Sequence, residues 1–259
     1  MTSETLRIVS LNTWAGRAMY PLIKFVERQR EKTDVFCFQE VLEADQEVID
    51  RRHPGEHMRG DLLLQLRRAL PGYQCFFATR HGEEDRISQA TFYAPRREMV
   101  TASAHQVFAP EVPKLDGSHV ISPRVMATIV VKLNGRAVAI GNAHGLWNGG
   151  GKGDCPERLL QSRAMRAALE KYGVPWVLVG DMNLEPHTEA IDILAKDARS
   201  LVHEYNVTST RTPLYRHHGE PGVSKHADYA FVSEGIEVES FEVLPDIASD
   251  HAALRVVVR

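Results

Sequence analysis

Polar residues recur in this chain where short apolar runs stop. In Trp176-Val-Leu-Val-Gly-Asp-Met-Asn-Leu-Glu185, the β-branched stretch Trp176 to Val179 reads as a buried strand that ends at Gly180, with Asp181 and Asn183 following. Side chains alternate along a strand, so Asp181 and Asn183 are expected on one side and Met182 on the other. Asn12 follows the run Leu6 to Leu11, Glu40 follows Val35 to Phe38, and His144 follows Ala137 to Ala143. Asp250 and His251 precede the run Ala252 to Val258, and Asp228 interrupts the otherwise apolar segment Ala227 to Val232. A carboxylate or amide at the end of a buried strand is expensive unless it binds something. Each case alone has an ordinary explanation in turn chemistry, but their repetition does not. Glu40, Asp181 and Asp250, with amide oxygens, form a hard-oxygen set suited to Mg2+ or Mn2+ rather than zinc. His144 and His251 add proton-transfer groups or donors for a charged oxygen. Divalent cation, carboxylates and imidazoles together point to hydrolysis of a phosphate ester.

The elements that must position these groups alternate along the chain without internal repeats. Helices are expected over Tyr20 to Gln29, burying Leu22, Phe25, Val26 and Gln29, and over Asp61 to Leu70, burying Leu62, Leu66, Ala69 and Leu70 before Pro71-Gly72 stops it. A third should run from Pro156 to Lys171 with Leu160, Ala164, Ala167 and Ala168 on its inner face, and a short one from His187 to Ala195. Tyr73 to Thr79, Gln89 to Ala94 and Met99 to Val107 read as meandering strands, and Phe108 to Ser122, rich in Pro and Gly, as a loop. Val125 to Leu133 and Ala137 to Ala143 form a hairpin across Asn134-Gly135. Ile236 to Val243 and Ala252 to Val258 close the chain as strands. The pattern suits two packed, mainly antiparallel sheets flanked by helices.

With 259 residues, 43% of them hydrophobic, the chain can bury a sizeable core. Its 31 basic and 34 acidic residues leave a net charge of -3, which argues against bulk binding to duplex DNA but not against a small basic cleft. Cys37, Cys75 and Cys155 are too few and too scattered for a disulfide framework or a thiolate zinc site. With no apolar leader and no membrane-length run, a soluble cytoplasmic protein is expected, with no membrane association and no obligate protein partner.

Leu-Asn-Thr-Trp14, Gln-Glu40, Asn-Ala-His144, Gly-Asp-Met-Asn183, His-Ala-Asp-Tyr229 and Ser-Asp-His251 stand in the order expected of the endonuclease/exonuclease/phosphatase superfamily, which the chain resembles over nearly its whole length. The resemblance implies one domain over residues 1–259 folded as a four-layered α/β sandwich, and a Mg2+ (or Mn2+) cofactor. It also implies roles. Glu40, supported by Asn12, and Asp250 would hold the metal. Asp181 would orient or deprotonate the attacking water, and Asn183 would hold that water or a phosphate oxygen. His144 and His251 would donate to the non-bridging oxygens, and Asp228 would orient one of the two histidines. Arg124 matches a position where some members carry a phosphate-contacting arginine.

The expected substrate is a phosphodiester of nucleic-acid or nucleotide type. The alternatives are a small-molecule or lipid phosphate ester, or a catalytically silent binding protein of the same fold. Lys225-His-Ala-Asp-Tyr229 replaces the Cys-Asp-Arg run of the inositol phosphatases, sphingomyelinases are mostly secreted, and abasic-site enzymes are more basic. The glycine-rich stretch from His144 to Asp154, whose glycines allow close approach and mobility, is expected to select the substrate, with Trp147 able to stack on a ring and Lys152 able to meet a phosphate; the alternative is a mobile surface loop with an incidentally exposed Trp. It is not a nucleotide-binding P-loop, because Leu146 stands where the first Gly belongs and Gly153 where Ser or Thr belongs. Arg211, Arg216, His217 and His218 could line a second phosphate-facing edge, with a solvated loop as the simpler expectation.

Overall fold

Leu6 and Ile8 of the first strand point into one hydrophobic cluster and Val9 and Leu11 into another, and all four are buried. Val35 and Cys37 against Phe36 and Phe38 repeat the division on the next strand. A sheet buried on both faces needs cover on both sides, and this requirement generates the layers. The computed structural model describes the whole chain except residues 1–3, 79–85, 109–111, 114–119 and 122–123.

In chain order the strands are β1 (Leu6–Asn12), β2 (Val35–Glu43), β3 (Gln74–Ala78), β4 (Arg86–Tyr93), β5 (Met99–Phe108), β6 (Val112–Pro113) and β7 (Val120–Ile121). They continue with β8 (Arg124–Leu133), β9 (Arg136–His144), β10 (Trp176–Asp181), β11 (Ala198–Ser200), β12 (Asp228–Ser233), β13 (Val238–Val243) and β14 (Leu254–Val258). The helices are α1 (Met19–Gln29), α2 (Gln46–Arg52), α3 (Leu62–Ala69), α4 (Pro156–Glu170), α5 (Glu189–Ala195) and α6 (Leu201–Glu204). One six-stranded sheet runs β13-β14-β1-β2-β4-β3 and the other β11-β12-β10-β9-β8-β5. Both are mixed: each has one parallel pair, β1 with β2 and β9 with β10, among antiparallel neighbours. The sheets pack face to face, with α1 and α3 covering the outer face of the first and α4 and α5 that of the second. This is the expected α/β sandwich of two sheets flanked by helices.

The two parallel pairs determine where the site lies. Parallel strands send their carboxyl ends to one edge, where ligands of open α/β sheets bind. β1 ends at Asn12, β9 at His144 and β10 at Asp181, with Asp181 in register with both His144 and Asp228. The sheets are also tied internally. Gln39 Nε2 donates to Asn142 Oδ1 at 2.7 Å, and Asn142 Nδ2 reaches the carbonyls of Phe38 and Ala90 and the Thr91 hydroxyl.

Several expectations change. The inner face of α4 is Arg158, Gln161, Ser162, Met165, Ala168 and Leu169, whereas Leu160 is 61% exposed and Ala167 faces solvent. Apolarity misplaced that face because polar Arg158 and Gln161 turn inward to bond the loop before the helix. β2 runs on to Glu43 through an irregularity between Phe38 and Val41, so Glu40 lies within a bulged strand rather than at its end. The stretch read as a loop from Phe108 to Ser122 begins with the last residue of β5 and contains the paired strands β6 and β7; its other residues, like Thr79, lie outside the described ones. α2, β11 and α6 were not anticipated. No described helix is long and apolar enough to cross a membrane.

Candidate active site

Asn12, on the last position of β1, is completely buried. Its amide oxygen accepts the Trp14 N–H at 2.9 Å, which turns Nδ2 toward two carboxylates: Glu40 Oε1 at 3.2 Å and Asp181 Oδ2 at 3.0 Å. One amide thus joins acids from opposite sheets. Glu40 reaches this point because the bulge gives it φ = 54°, a left-handed conformation that a non-glycine residue adopts only under constraint. Asn183 also departs from strand alternation. β10 stops at Asp181, Asn183 takes φ = 53°, and its N–H donates to Asp181 Oδ1 at 2.9 Å, while Met182 turns into the core as expected.

Two imidazoles face the same oxygen. His144 Nε2 lies 3.7 Å from Asp181 Oδ2 and 3.9 Å from Glu40 Oε1, and His251 Nε2 lies 3.6 Å from Asp181 Oδ2. Asn183 Nδ2 sits 3.3 Å from His144 Nε2. His251 Nδ1 is held by Asp228, at 2.8 Å from Oδ2 and 3.0 Å from Oδ1, so the histidine paired with Asp228 is His251. Asp250 is fixed by the Ser249 hydroxyl and by Arg211 Nη1, at 3.3 Å each. The same Arg211 nitrogen reaches His251 Nε2, and an isolated antiparallel bridge holds Arg211 beside His251.

Burial alone would raise the Asp181 pKa, but His251, His144, Lys152 and Arg211 hold its carboxyl below the usual range. The Asp250 carboxyl is pushed up by burial, which His251 and Arg211 only partly offset. Burial and then Arg124 lower the His144 pKa against the pull of Asp181 and Glu40. Burial also works against a charged His251, yet Asp228 and Asp181 raise it overall, with Arg211 opposing them. Burial, followed by Arg211, brings the Lys152 ammonium down to about 8, still protonated at neutral pH.

Apart from His218, which lines a neighbouring pocket, the candidate site residues singled out from the sequence belong to this one place. Glu40, Arg124, His144, Trp147, Lys152, Asp181, Asn183, Asp250 and His251 line a single cleft of about 610 Å³, and Asn12 and Asp228 support it from beneath. Trp14, Arg17, Arg211, Tyr215 and Arg216 are among the other residues of its walls. Arg211 departs most from expectation: far from being solvated, its side chain is 8% exposed and stacks on Tyr215 at 4.4 Å. Nothing local in Ser-Thr-Arg-Thr-Pro distinguished it from a loop cation. Trp147 stands at the rim, 37% exposed.

The buried group Asp181, Asp228 and His251 could hold a metal, since one ligand atom from each lies within 4.8 Å of the others. Asp228, however, already has both oxygens against His251 Nδ1. Glu40 and Asp250 face the cleft with carboxylate oxygens, a donor set that fits a hard divalent cation. Asn12 turns nitrogen rather than oxygen toward Glu40 and Asp181, so in this geometry it fixes those two acids.

The sequence model of the Endonuclease/Exonuclease/phosphatase family matches residues 9–251. The fold is similar to that of the mannosyl-6-phosphatase Bt3783 of Bacteroides thetaiotaomicron, at 19% identity and TM-score 0.70, covering 98% of this chain and 99% of that one. It is also similar to the human Nocturnin catalytic domain with bound sulfate anion, at 17% identity and TM-score 0.64 over 100% and 97% of the two chains. A humanized Danio rerio TDP2 shares 12% identity at TM-score 0.64 over 98% and 99%. No curated protein matches the sequence.

Proposed function

Because the chain belongs to the endonuclease/exonuclease/phosphatase family, whose members hydrolyse phosphate esters, we propose that it is a Mg2+- or Mn2+-dependent phosphodiesterase acting on a nucleic-acid or nucleotide-like ester. The observation that carries this reading is the convergence of Asn12, His144 and His251 on one oxygen of Asp181, with Glu40 bonded to the same Asn12 amide. A divalent cation held by Glu40 and Asp250 would neutralise phosphoryl charge and polarise the ester.

The protein's own groups supply the rest. Asp181, held below the usual carboxylate range, stays ionised and accepts a hydrogen bond from the attacking water, aiming it at phosphorus. Asn183, anchored by its N–H on Asp181, presents its amide to that water or to a phosphate oxygen. His251, kept upright by Asp228, donates through Nε2 to a non-bridging oxygen as charge builds, once Arg211 gives up that nitrogen. His144 donates from the opposite side, and Arg124 adds positive charge at the cleft wall. Trp14, Trp147 and Tyr215 offer aromatic faces to a base or sugar.

A second reading, a phosphatase for a small sugar phosphate, draws support from the likeness to the mannosyl-6-phosphatase and from a cleft within the roughly 300–1,000 Å³ typical of small-molecule sites. A hydrolysis panel separates the two. Bis-p-nitrophenyl phosphate, single-stranded DNA, abasic duplex DNA, RNA, a 5′-tyrosyl oligonucleotide, inositol phosphates and hexose 6-phosphates are each incubated with Mg2+, Mn2+ or chelator, with Asp181→Asn as control. Cation-dependent cleavage of a diester is expected. Turnover of monoesters alone would favour the sugar phosphatase, and no turnover of any ester would leave a silent binding protein.

A further inference from the structure

The glycine-rich segment between β9 and α4 is built around a buried lysine. Lys152 is 7% exposed and lines the cleft, yet its ammonium makes one hydrogen bond, to the His226 carbonyl at 2.6 Å. Among the described residues no carboxylate comes within ion-pair distance of it. A buried cation with no carboxylate in direct contact is costly, even with Asp181, Asp228 and Glu185 offsetting part of its charge at longer range, and the chain goes to some length to keep this one in place. Arg158, itself 2% exposed on the inner face of α4, donates to the carbonyls of Gly151 and Gly153 on either side of Lys152 and to Asn148 Oδ1. The Lys152 carbonyl accepts the Glu185 N–H at 2.9 Å, and Asp154 accepts the N–H groups of Glu189 and Ala190 at the start of α5. The segment expected to be mobile is therefore pinned residue by residue. The pins hold an ammonium with unspent donors at the cleft wall, bonded to the carbonyl of His226, two residues before Asp228.

We propose that Lys152 is an anion-binding residue of the cleft, taking an oxygen of the substrate's phosphate on the Asp228 side of Asp181, and that Arg158 is the positioning residue that aims it. The phosphate supplies the direct anionic contact that Asp181, Asp228 and Glu185, acting on the ammonium from beyond ion-pair distance, do not make. The reading rests on the cleft being a phosphoesterase site and adds to it a phosphate contact that is independent of the metal-binding acids.

The test uses inorganic phosphate as the probe, titrated calorimetrically into the whole protein in chelator, together with turnover of the best panel substrate in Mg2+. Lys152→Met is expected to weaken phosphate binding and raise KM by about tenfold or more, while Tm holds, because the ammonium makes a single hydrogen bond and no direct ion pair. Lys152→Arg should retain part of the binding. Arg158→Met, which frees the segment without touching the ammonium, should raise KM more than it lowers kcat. A Lys152→Met protein that binds phosphate as tightly as wild type overturns the proposal. So does one that melts lower and is not rescued by Lys152→Gln, which would make the lysine structural. If wild type binds phosphate through Lys152 but cleaves no ester, the inference stands and the enzymatic reading falls. If wild type cleaves esters and Lys152→Met leaves KM and phosphate affinity unchanged, the reverse holds.

Discussion

Both carboxylate oxygens of Asp228 face Nδ1 of His251, at 3.0 and 2.8 Å, so the ring has one orientation and offers Nε2 to the cleft. Asp228→Asn keeps the shape but removes the charge, and kcat should fall about a hundredfold or more. The pH profile carries the diagnostic sign. Asp228 is the leading group that raises the His251 pKa against burial. A donor imidazole works below its pKa, so in Asp228→Asn the basic limb of the profile should move to lower pH. The same raised value stabilises the fold fully below the ring's ordinary 6.5, an increment lost as pH rises through the folded value. A variant with an unmoved basic limb would remove His251 from the role of donor.

In Asp250 it is the charged form that the fold disfavours, because burial raises its pKa in spite of His251 and Arg211. In chelator at neutral pH, Asp250→Asn should raise Tm by a few degrees, on the scale of about 2–4 °C per kcal/mol for a chain of this size. Wild type should gain Tm on adding Mg2+ or Mn2+ by mass action. That gain should shrink in Asp250→Asn and disappear in Glu40→Gln. An equal cation-induced shift in all three proteins would place the metal elsewhere, with the Asp181, Asp228 and His251 group the next candidate.

The candidate site residues were legible because they lie where apolar runs begin or end, as Asn12 and His144 do. What escaped was anything set by backbone irregularity or by partners distant in sequence. Glu40 reads as a strand terminus, but it projects into the cleft because a bulge puts it at φ = 54°, and no residue pattern in Gln-Glu-Val-Leu announces that bulge. The inner face of α4 was misjudged because hydrophobicity ranks Leu160 above Arg158, whereas the loop needs a guanidinium to bind its carbonyls. Arg211 looked like a loop cation because its partners, Asp250 and His251, are about forty residues away.

Gln39 and Asn142 carry no chemistry, yet they join the two sheets directly beneath Glu40 and His144. Asn142 is fully buried, and its amide bonds Gln39, Thr91 and the carbonyls of Phe38 and Ala90. Asn142→Leu would strand those groups without water, at a cost of about 1–3 kcal/mol for an abandoned buried partner. Urea unfolding should show the midpoint falling with an unchanged m-value. Turnover should also drop, since Glu40 and His144 are then held by sheets no longer tied at that level. Unchanged stability would mean that the bridge is incidental.

Gly145 and Gly180 sit where β9 and β10 come closest, with the Gly145 N–H donating to the Asp181 carbonyl at 2.6 Å. A Cβ on Gly145 would lie 2.1 Å from the Met182 carbonyl oxygen. One on Gly180, where φ is 144°, would lie 1.9 Å from that of Ala143. Neither contact is possible, so Gly145→Ala must push the two strand ends apart and carry His144 away from Asp181 and Asn183. Misplacement by about 1 Å costs on the order of a hundredfold in rate, and kcat should fall by that much with KM less affected. Gly173→Ala is the control. It lies beyond the end of α4 at φ = 62° with open space around its Cβ, so it should lose about 1 kcal/mol of stability and no activity. Equal kinetic damage from Gly145→Ala and Gly173→Ala would mean that rate follows global stability, and that the close approach of β9 and β10 does not position the site.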